Sequence, residues 1–95
     1  MMTQPDSPLS ILREAIRLDK PGLIDRLERD AVAHMAFTRQ ATNKAAVSAA
    51  LDLAKACDTC AQLIADDRLI DLLMEVRTQV PALHAARTII REKIK

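Results

Sequence analysis

The stretch from Ala45 to Ile64 constrains the fold more than any other part of the chain. Its apolar residues recur at intervals of four, three, four, three and four positions, at Ala46, Ala50, Leu53, Cys57, Cys60 and Ile64. This spacing keeps all of them on one side of an α-helix, where they can pack lengthwise against another helix. Alanines between them favour the helix and let a neighbouring backbone come close. The stretch therefore predicts a helix at the centre of an all-α protein.

The remaining composition agrees with an all-α fold. The chain has 95 residues with a single glycine and a single aromatic residue, Phe37, and no stretch alternates apolar and polar residues as a strand does. An apolar fraction of 49% is enough for a core built from Ala, Leu, Ile, Val and Met. We expect one domain over residues 1–95, a small antiparallel helical bundle preceded by a loose segment at residues 1–6.

Capping residues and prolines predict where the helices begin and end. Ser7 and Pro8 form a cap and a first helical residue, and Pro21 opens a second helix with Asp19 or Lys20 as its cap. A turn near residues 40–43, with Thr42 or Asn43 as the next cap, separates the second helix from the third, although one continuous helix over 21–65 is an alternative. The expected helices are one short helix and three longer ones, over residues 8–18, 22–40, 44–65 and 67–94.

The last segment has the most regular apolar spacing. Its seam comprises Leu69, Leu73, Val76, Val80, Leu83, Arg87, Ile90 and Ile94. Asp66 is expected to cap this helix, and Pro81, which lacks a backbone donor, is expected to kink it without changing the phase of the seam. Apolar residues at 69, 70, 72 and 73 cover most of the circumference, so one neighbouring helix cannot bury them all.

This surplus of apolar surface predicts self-association. Residues 57–76 carry a net charge of −4 and residues 77–95 a net charge of +4. Helix-dipole complementarity explains such a distribution within one chain. A two-fold antiparallel pairing of two copies would also set each acidic half against the basic half of the other copy. We expect a homodimer in which Arg87 reaches Asp71 or Glu75 of the other copy.

Two cysteines and two histidines are the residues most able to carry chemistry. Cys57 and Cys60 form a C-x-x-C pair, but they lie in the middle of the predicted helix and on its apolar side. Redox use favours a helix N-terminus after a strand, and zinc requires four ligands, which only the distant His34 and His84 could complete. Buried, reduced, metal-free thiols are the simpler interpretation.

The sequence therefore predicts a non-enzymatic protein–protein interaction module that uses no metal or cofactor. We expect an adaptor, chaperone-like partner or small regulator of bacterial or phage style, which binds itself or another helical protein. The net charge of +1, the lack of a secretory signal and the lack of a long apolar run favour a cytoplasmic protein that does not bind membranes. One alternative is a nucleic-acid-binding regulator that uses the basic helix 77–95, although no aromatic residue there can stack on bases. The other is a metal or redox protein centred on Cys57 and Cys60.

Overall fold

The computed structural model describes residues 7–94, except for the side chains of residues 76–79. Within the described residues four helices follow one another, namely α1 (Pro8–Gln40), α2 (Lys44–Ala65), α3 (Leu69–Met74) and α4 (Val76–Ile94). No residue of the described part lies in a strand. The all-α class predicted from the sequence is confirmed, whereas the loose segment predicted at residues 1–6 lies outside the described residues.

The predicted break between the first two helical segments is a kink within α1. The helix begins where predicted, with the Ser7 hydroxyl accepting a hydrogen bond from the Ser10 N–H at 3.3 Å and Pro8 following directly. Asp19 then leaves the helical conformation (φ −163°, ψ 73°), and its carboxylate accepts a hydrogen bond from the Gly22 N–H at 3.0 Å. This bond caps the second half of α1, so Asp19 rather than Lys20 is the cap.

The boundaries of α2 confirm the prediction of a helix over residues 44–65. Residues 41–43 connect it to α1, so the alternative of one continuous helix over 21–65 is wrong. The Asn43 carboxamide oxygen accepts hydrogen bonds from the Ala45 and Ala46 N–H groups at 2.8 and 3.4 Å. This side chain thereby occupies two of the donors that a helix N-terminus leaves without a backbone partner.

The segment after α2 differs from the predicted single helix over residues 67–94. Asp66 ends α2 instead of capping the next helix, Asp67 has a positive φ of 58°, and α3 begins only at Leu69. A second interruption falls at Glu75 (φ −96°, ψ 93°), whereas α4 continues through Pro81. The break therefore falls six residues before Pro81, and the helix continues through this proline, as predicted.

Buried side chains lie on both sides of the break at Glu75. Leu72 in α3 is completely buried, and so is Ala82 in α4. On one straight helix these side chains would point about 80° apart, at roughly 100° per residue. The break allows α3 and α4 each to turn its own buried side chain towards the core.

The core is one cluster with contributions from all four helices. α1 contacts each of the other three helices and packs most extensively against α2 and α4. Half of the predicted seam of α2 belongs to this cluster, namely Cys57, Cys60 and Ile64. Ala50 is buried outside the cluster, and Leu53 is exposed. The fully buried larger side chains are Leu12, Leu23, Leu27, Ile64, Leu72, Cys57 and Cys60.

Candidate interaction surface

α4 packs into the protein mainly through alanines, and the predicted seam lies at the edge of this contact. Its buried side chains are those of Ala82, Ala85, Ala86 and Ile89. Three members of the seam, Leu83, Arg87 and Ile90, each follow one of these residues by one position, and therefore lie about 100° further around the helix. The seam is thus a flank of the packed face, partly turned towards solvent.

The structure divides the predicted interaction residues between the core and the surface. Leu69, Leu73, Leu83 and Ile90 are half-buried and pack against the core cluster. Val80 and Ile94 are 68% and 63% exposed, and Arg87 is also exposed. The side chain of Val76 lies outside the described part. On α4 the exposed and half-buried members form one stripe, called the α4 stripe below, that consists of Val80, Leu83, Arg87, Ile90 and Ile94.

Several of the opposed charges of the last segment form ion pairs within the chain. Asp67 forms an ion pair with Lys20 of α1 at 2.8 Å, and Asp71 forms one with Arg68 at 2.7 Å. On α4, Glu92 pairs with Arg26 of α1 and Lys93 pairs with Asp19 of α1. These acids are therefore engaged locally, and the break at Glu75 removes the straight helix on which the predicted pairing of acidic and basic halves depends.

Two contacts attach the end of α4 to the kinked part of α1. A nitrogen of Arg26 lies 2.9 Å from a carboxylate oxygen of Glu92, and the Lys93 ammonium lies 3.7 Å from the Asp19 carboxylate. Arg87 and Arg91, in contrast, are exposed and have no ion pair among the described residues. They are available to an acidic group of a partner.

The two cysteines are buried, as predicted. Cys57 is 1% exposed, Cys60 is completely buried, and neither forms a disulfide. Burial, and to a lesser extent the nearby carboxylates of Asp30 and Asp58, together raise the pKa of the Cys57 thiol to about 11. A thiol with this pKa stays protonated at neutral pH, whereas nucleophilic and metal-binding cysteines act as thiolates.

The histidines do not join the cysteines in a metal site. His34 is half-buried on α1 and His84 is exposed on α4. Within the described part of the chain, no three His, Cys, Asp or Glu side chains are grouped so that they could hold a metal ion. The residues from which the metal or redox alternative was assembled are therefore not brought together.

A second apolar surface lies on α1, mostly outside the apolar face that the sequence predicts for this helix. The sequence suggests an apolar face through Ile24, Leu27, Ala31, Met35 and Thr38. In the structure Leu27 and Ala31 are buried together with Leu23, whereas Met35 is 46% exposed and Val32 is 69% exposed. Glu28, Val32, Met35 and Arg39 are spaced by four, three and four residues, which places them on one side of the helix. This spacing is the sequence pattern that corresponds to the exposed surface.

These residues line an open groove between α1 and α2. The groove has a volume of about 470 Å³, and its apolar middle is formed by Ala31, Val32, Met35 and Ala36 of α1. Glu28 and Arg39 border it on α1, and Asp58 borders it on α2. The geometry is that of a helix face with short side chains at its flanks, onto which another helix can pack.

No protein-family model, curated protein or solved structure matches this chain. Within the part that the structure describes, none of the helices combines the length and apolar character needed to cross a membrane. The features of the molecule that bear on function are the two exposed apolar surfaces and the charges beside them.

Proposed function

We propose that this protein is a non-enzymatic helical interaction module, a small antiparallel bundle that binds a helix of a partner protein through the α4 stripe. The observation that carries the proposal is the exposure of Val80 and Ile94, at 68% and 63%, on the same side of α4 as the half-buried Leu83 and Ile90. Large apolar side chains placed in line on one helix are typical anchors for an amphipathic partner helix. An adaptor, a chaperone-like partner and a small regulator all use such a contact.

The chemistry of the stripe indicates the kind of partner. Burying a Val or Ile side chain contributes about 1.5–3 kcal/mol, so the apolar residues supply most of the free energy of binding. Arg87 lies in the middle of the stripe and Arg91 lies one turn further on, both exposed. A partner helix with apolar residues at positions i, i+3 and i+7 and a carboxylate between them would match this arrangement.

A second copy of the chain fits the α4 stripe poorly. Arg87 is the central residue of the stripe, so an antiparallel pairing of two α4 stripes would bring the two Arg87 side chains together. Like charges at such a contact oppose association. We therefore infer that the α4 stripe binds a different helical protein, and that the homodimer expected from the sequence forms elsewhere.

Charged substitutions on the stripe test this proposal. We expect Val80→Asp and Ile94→Asp to lose the partner that co-purifies with the tagged wild-type protein from its own cells, because each places a charge in the apolar contact. His84→Asp, on an exposed residue of α4 outside the stripe, is the matched control and should retain the partner. Circular dichroism should show equal helix content in all variants. Retention of the partner by both stripe variants would contradict the proposal.

Nucleic-acid binding by the basic end of α4 is the second candidate function. The observation that favours it is the exposure of Arg87 and Arg91 one turn apart, with no ion pair to either among the described residues. Contacts to phosphates would make the affinity fall steeply with salt concentration, whereas apolar docking would not. Titration of labelled duplex DNA at two salt concentrations, with Arg87→Gln/Arg91→Gln as comparison, distinguishes the two functions.

A further inference from the structure

The groove on α1 is bordered by a stripe whose charges are arranged symmetrically about its centre. This α1 stripe consists of Glu28, Val32, Met35 and Arg39, with Ala31 and Ala36 at its flanks. The midpoint between Val32 and Met35 is also the midpoint between Glu28 and Arg39 and between Ala31 and Ala36. An acid therefore ends the stripe on one side, a base ends it on the other, and apolar residues fill the middle.

We propose that a second copy of this chain docks in the groove, with the two α1 helices antiparallel and related by a two-fold axis at the centre of the stripe. In this arrangement Val32 packs against Met35 of the second copy, and Met35 against its Val32. Glu28 faces Arg39 of the second copy, and this pair occurs twice because the contact is isologous. The exposed Ala36 of each copy lies at a flank of the contact, where its short side chain lets the helices approach closely.

The exposure of the stripe shows that the protein's own helices leave it open. Val32 is 69% exposed and Met35 is 46% exposed, although Ala31 beside them is buried. α4 is held on the other side of α1, since Arg26, which bonds to Glu92, lies nine residues and about 180° around the helix from Met35. An incoming helix therefore has access to the groove without displacing α4.

The charges at the ends of the groove select a second copy over an unrelated apolar helix. Glu28 and Arg39 are separated by eleven residues, which is about 16 Å along the helix axis. Asp58 of α2 also borders the groove, so the arginine of the second copy would face two carboxylates. Exposed ion pairs contribute little affinity, and their effect here is to fix the antiparallel direction and the register while the apolar middle supplies the attraction.

The proposed dimer contact uses a different surface from the proposed partner-binding site. Dimerisation would nevertheless affect partner binding. The α1 stripe and the α4 stripe lie on different helices and have no residue in common. A dimer formed through α1 would carry two α4 stripes, which would increase its avidity for a partner with two binding helices.

Sedimentation equilibrium of the full chain tests the proposal directly. Over loading concentrations from about 5 to about 500 µM, we expect the mass of the wild-type protein to rise above the monomer value of 10.5 kDa towards twice that value. Val32→Asp should remain at the monomer mass throughout, since it buries a charge at the centre of the contact. Val80→Asp, on the α4 stripe, should dimerise as the wild type does.

Charge exchange tests the two-fold register. Glu28→Arg and Arg39→Glu should each weaken dimerisation at least about threefold, because each places like charges opposite one another at both ends. In an Asp58→Asn background, the double variant Glu28→Arg/Arg39→Glu should recover most of that loss, since the exchanged charges again face opposite charges.

Four outcomes would overturn the proposal. They are a wild-type mass that stays at 10.5 kDa at the highest concentration, loss of the dimer in Val80→Asp, persistence of the dimer in Val32→Asp, and failure of the double charge exchange to recover affinity. Circular dichroism of each variant identifies any loss of helix. A variant that unfolds is replaced by Met35→Glu at the same contact. Because partner retention is measured separately on α4 variants, failure of the dimer and failure of the proposed function are distinguishable.

Discussion

Cys57 shows how the surroundings of a single residue control the pH dependence of stability. In the folded protein its pKa is raised from 9.0 to about 11, first by burial and then by the carboxylates of Asp30 and Asp58. In the unfolded chain the thiol ionises near its ordinary value. Between pH 9 and 11 the folded state therefore keeps a proton that the unfolded state has lost, so the free energy of unfolding falls as pH rises. Below pH 9 this contribution is fully present.

A Cys57→Ala variant measures this effect. At pH 7 the substitution should cost about 1 kcal/mol through lost contacts in the core. Between pH 7 and 10.5 the wild type should lose up to about 2 kcal/mol more than the variant, which has no thiol at this position to ionise. Urea unfolding at a series of pH values provides both numbers. Because every other titrating group is common to the two proteins, parallel pH profiles would contradict the prediction.

The burial of both thiols could be predicted from the sequence, but the shifted pKa could not. Cys57 and Cys60 continue the spacing of apolar residues along α2, and that spacing alone identifies the buried side of a helix. The carboxylate of Asp30 comes from α1, 27 positions earlier in the chain. Its approach depends on how the two helices pack, which no local pattern records.

Among the elements, α4 owes its position to small side chains. Ala82, Ala85 and Ala86 are completely buried, which brings the backbone of α4 close to its neighbours. The larger Leu and Ile residues one position further on have the stronger hydrophobic signal in the sequence, and the predicted seam therefore runs through them. The alanine face has the same helical period but contributes less apolar surface per residue. It is nevertheless the buried side of α4, because its short side chains allow a smaller distance between the helix axes.

An Ala86→Leu substitution tests this close packing. The added isopropyl group has no room at a completely buried position, and we expect a loss of about 1–3 kcal/mol in the free energy of unfolding. Ala49→Leu on α2 is the matched control, because Ala49 is exposed and the same change there should alter stability by less than about 0.5 kcal/mol. Denaturant unfolding compares the two. Equal effects would show that α4 is not closely packed at Ala86.

The sequence predicts a helix end where neighbouring residues determine it, but not where packing against the rest of the molecule determines it. Ser7, Asp19 and Asn43 cap helices with their own side chains, so the start of α1, its kink and the start of α2 follow from a few neighbouring residues. The break at Glu75 has no such signal. It separates the buried Leu72 of α3 from the alanine face of α4, and the burial of both comes from contacts with the rest of the molecule.

At the scale of the whole molecule, the core does not extend along its full length. The molecule extends 49 × 25 × 24 Å along its three principal axes. Along α1 the core cluster reaches only as far as Ala31. Between Val32 and Leu53, the only buried residue is Ala50. Leu53 belongs to the apolar seam of α2 and is nevertheless 43% exposed. Sequence periodicity predicts which side of a helix is buried, but not how far along it a covering helix reaches.

This uneven core predicts a gradient of local stability, which hydrogen exchange can measure. Opening the segment around the α1–α2 connection exposes little buried apolar surface, whereas opening residues 57–64 or 85–90 disrupts the core cluster. Amides of residues 35–40 and 48–53, all within helices, should therefore exchange at least about tenfold faster than those of the two core segments at low protein concentration.

The same measurement repeated at high concentration connects the gradient with the proposed dimer. Docking of a second copy on the α1 stripe would cover Val32 and Met35, so residues 35–40 should gain protection as concentration rises, while residues 85–90 should not. Val32→Asp should show the low-concentration pattern at every concentration. Uniform protection along both helices at low concentration would mean that the segment around residues 41–43 opens only with the whole protein, and would contradict the gradient.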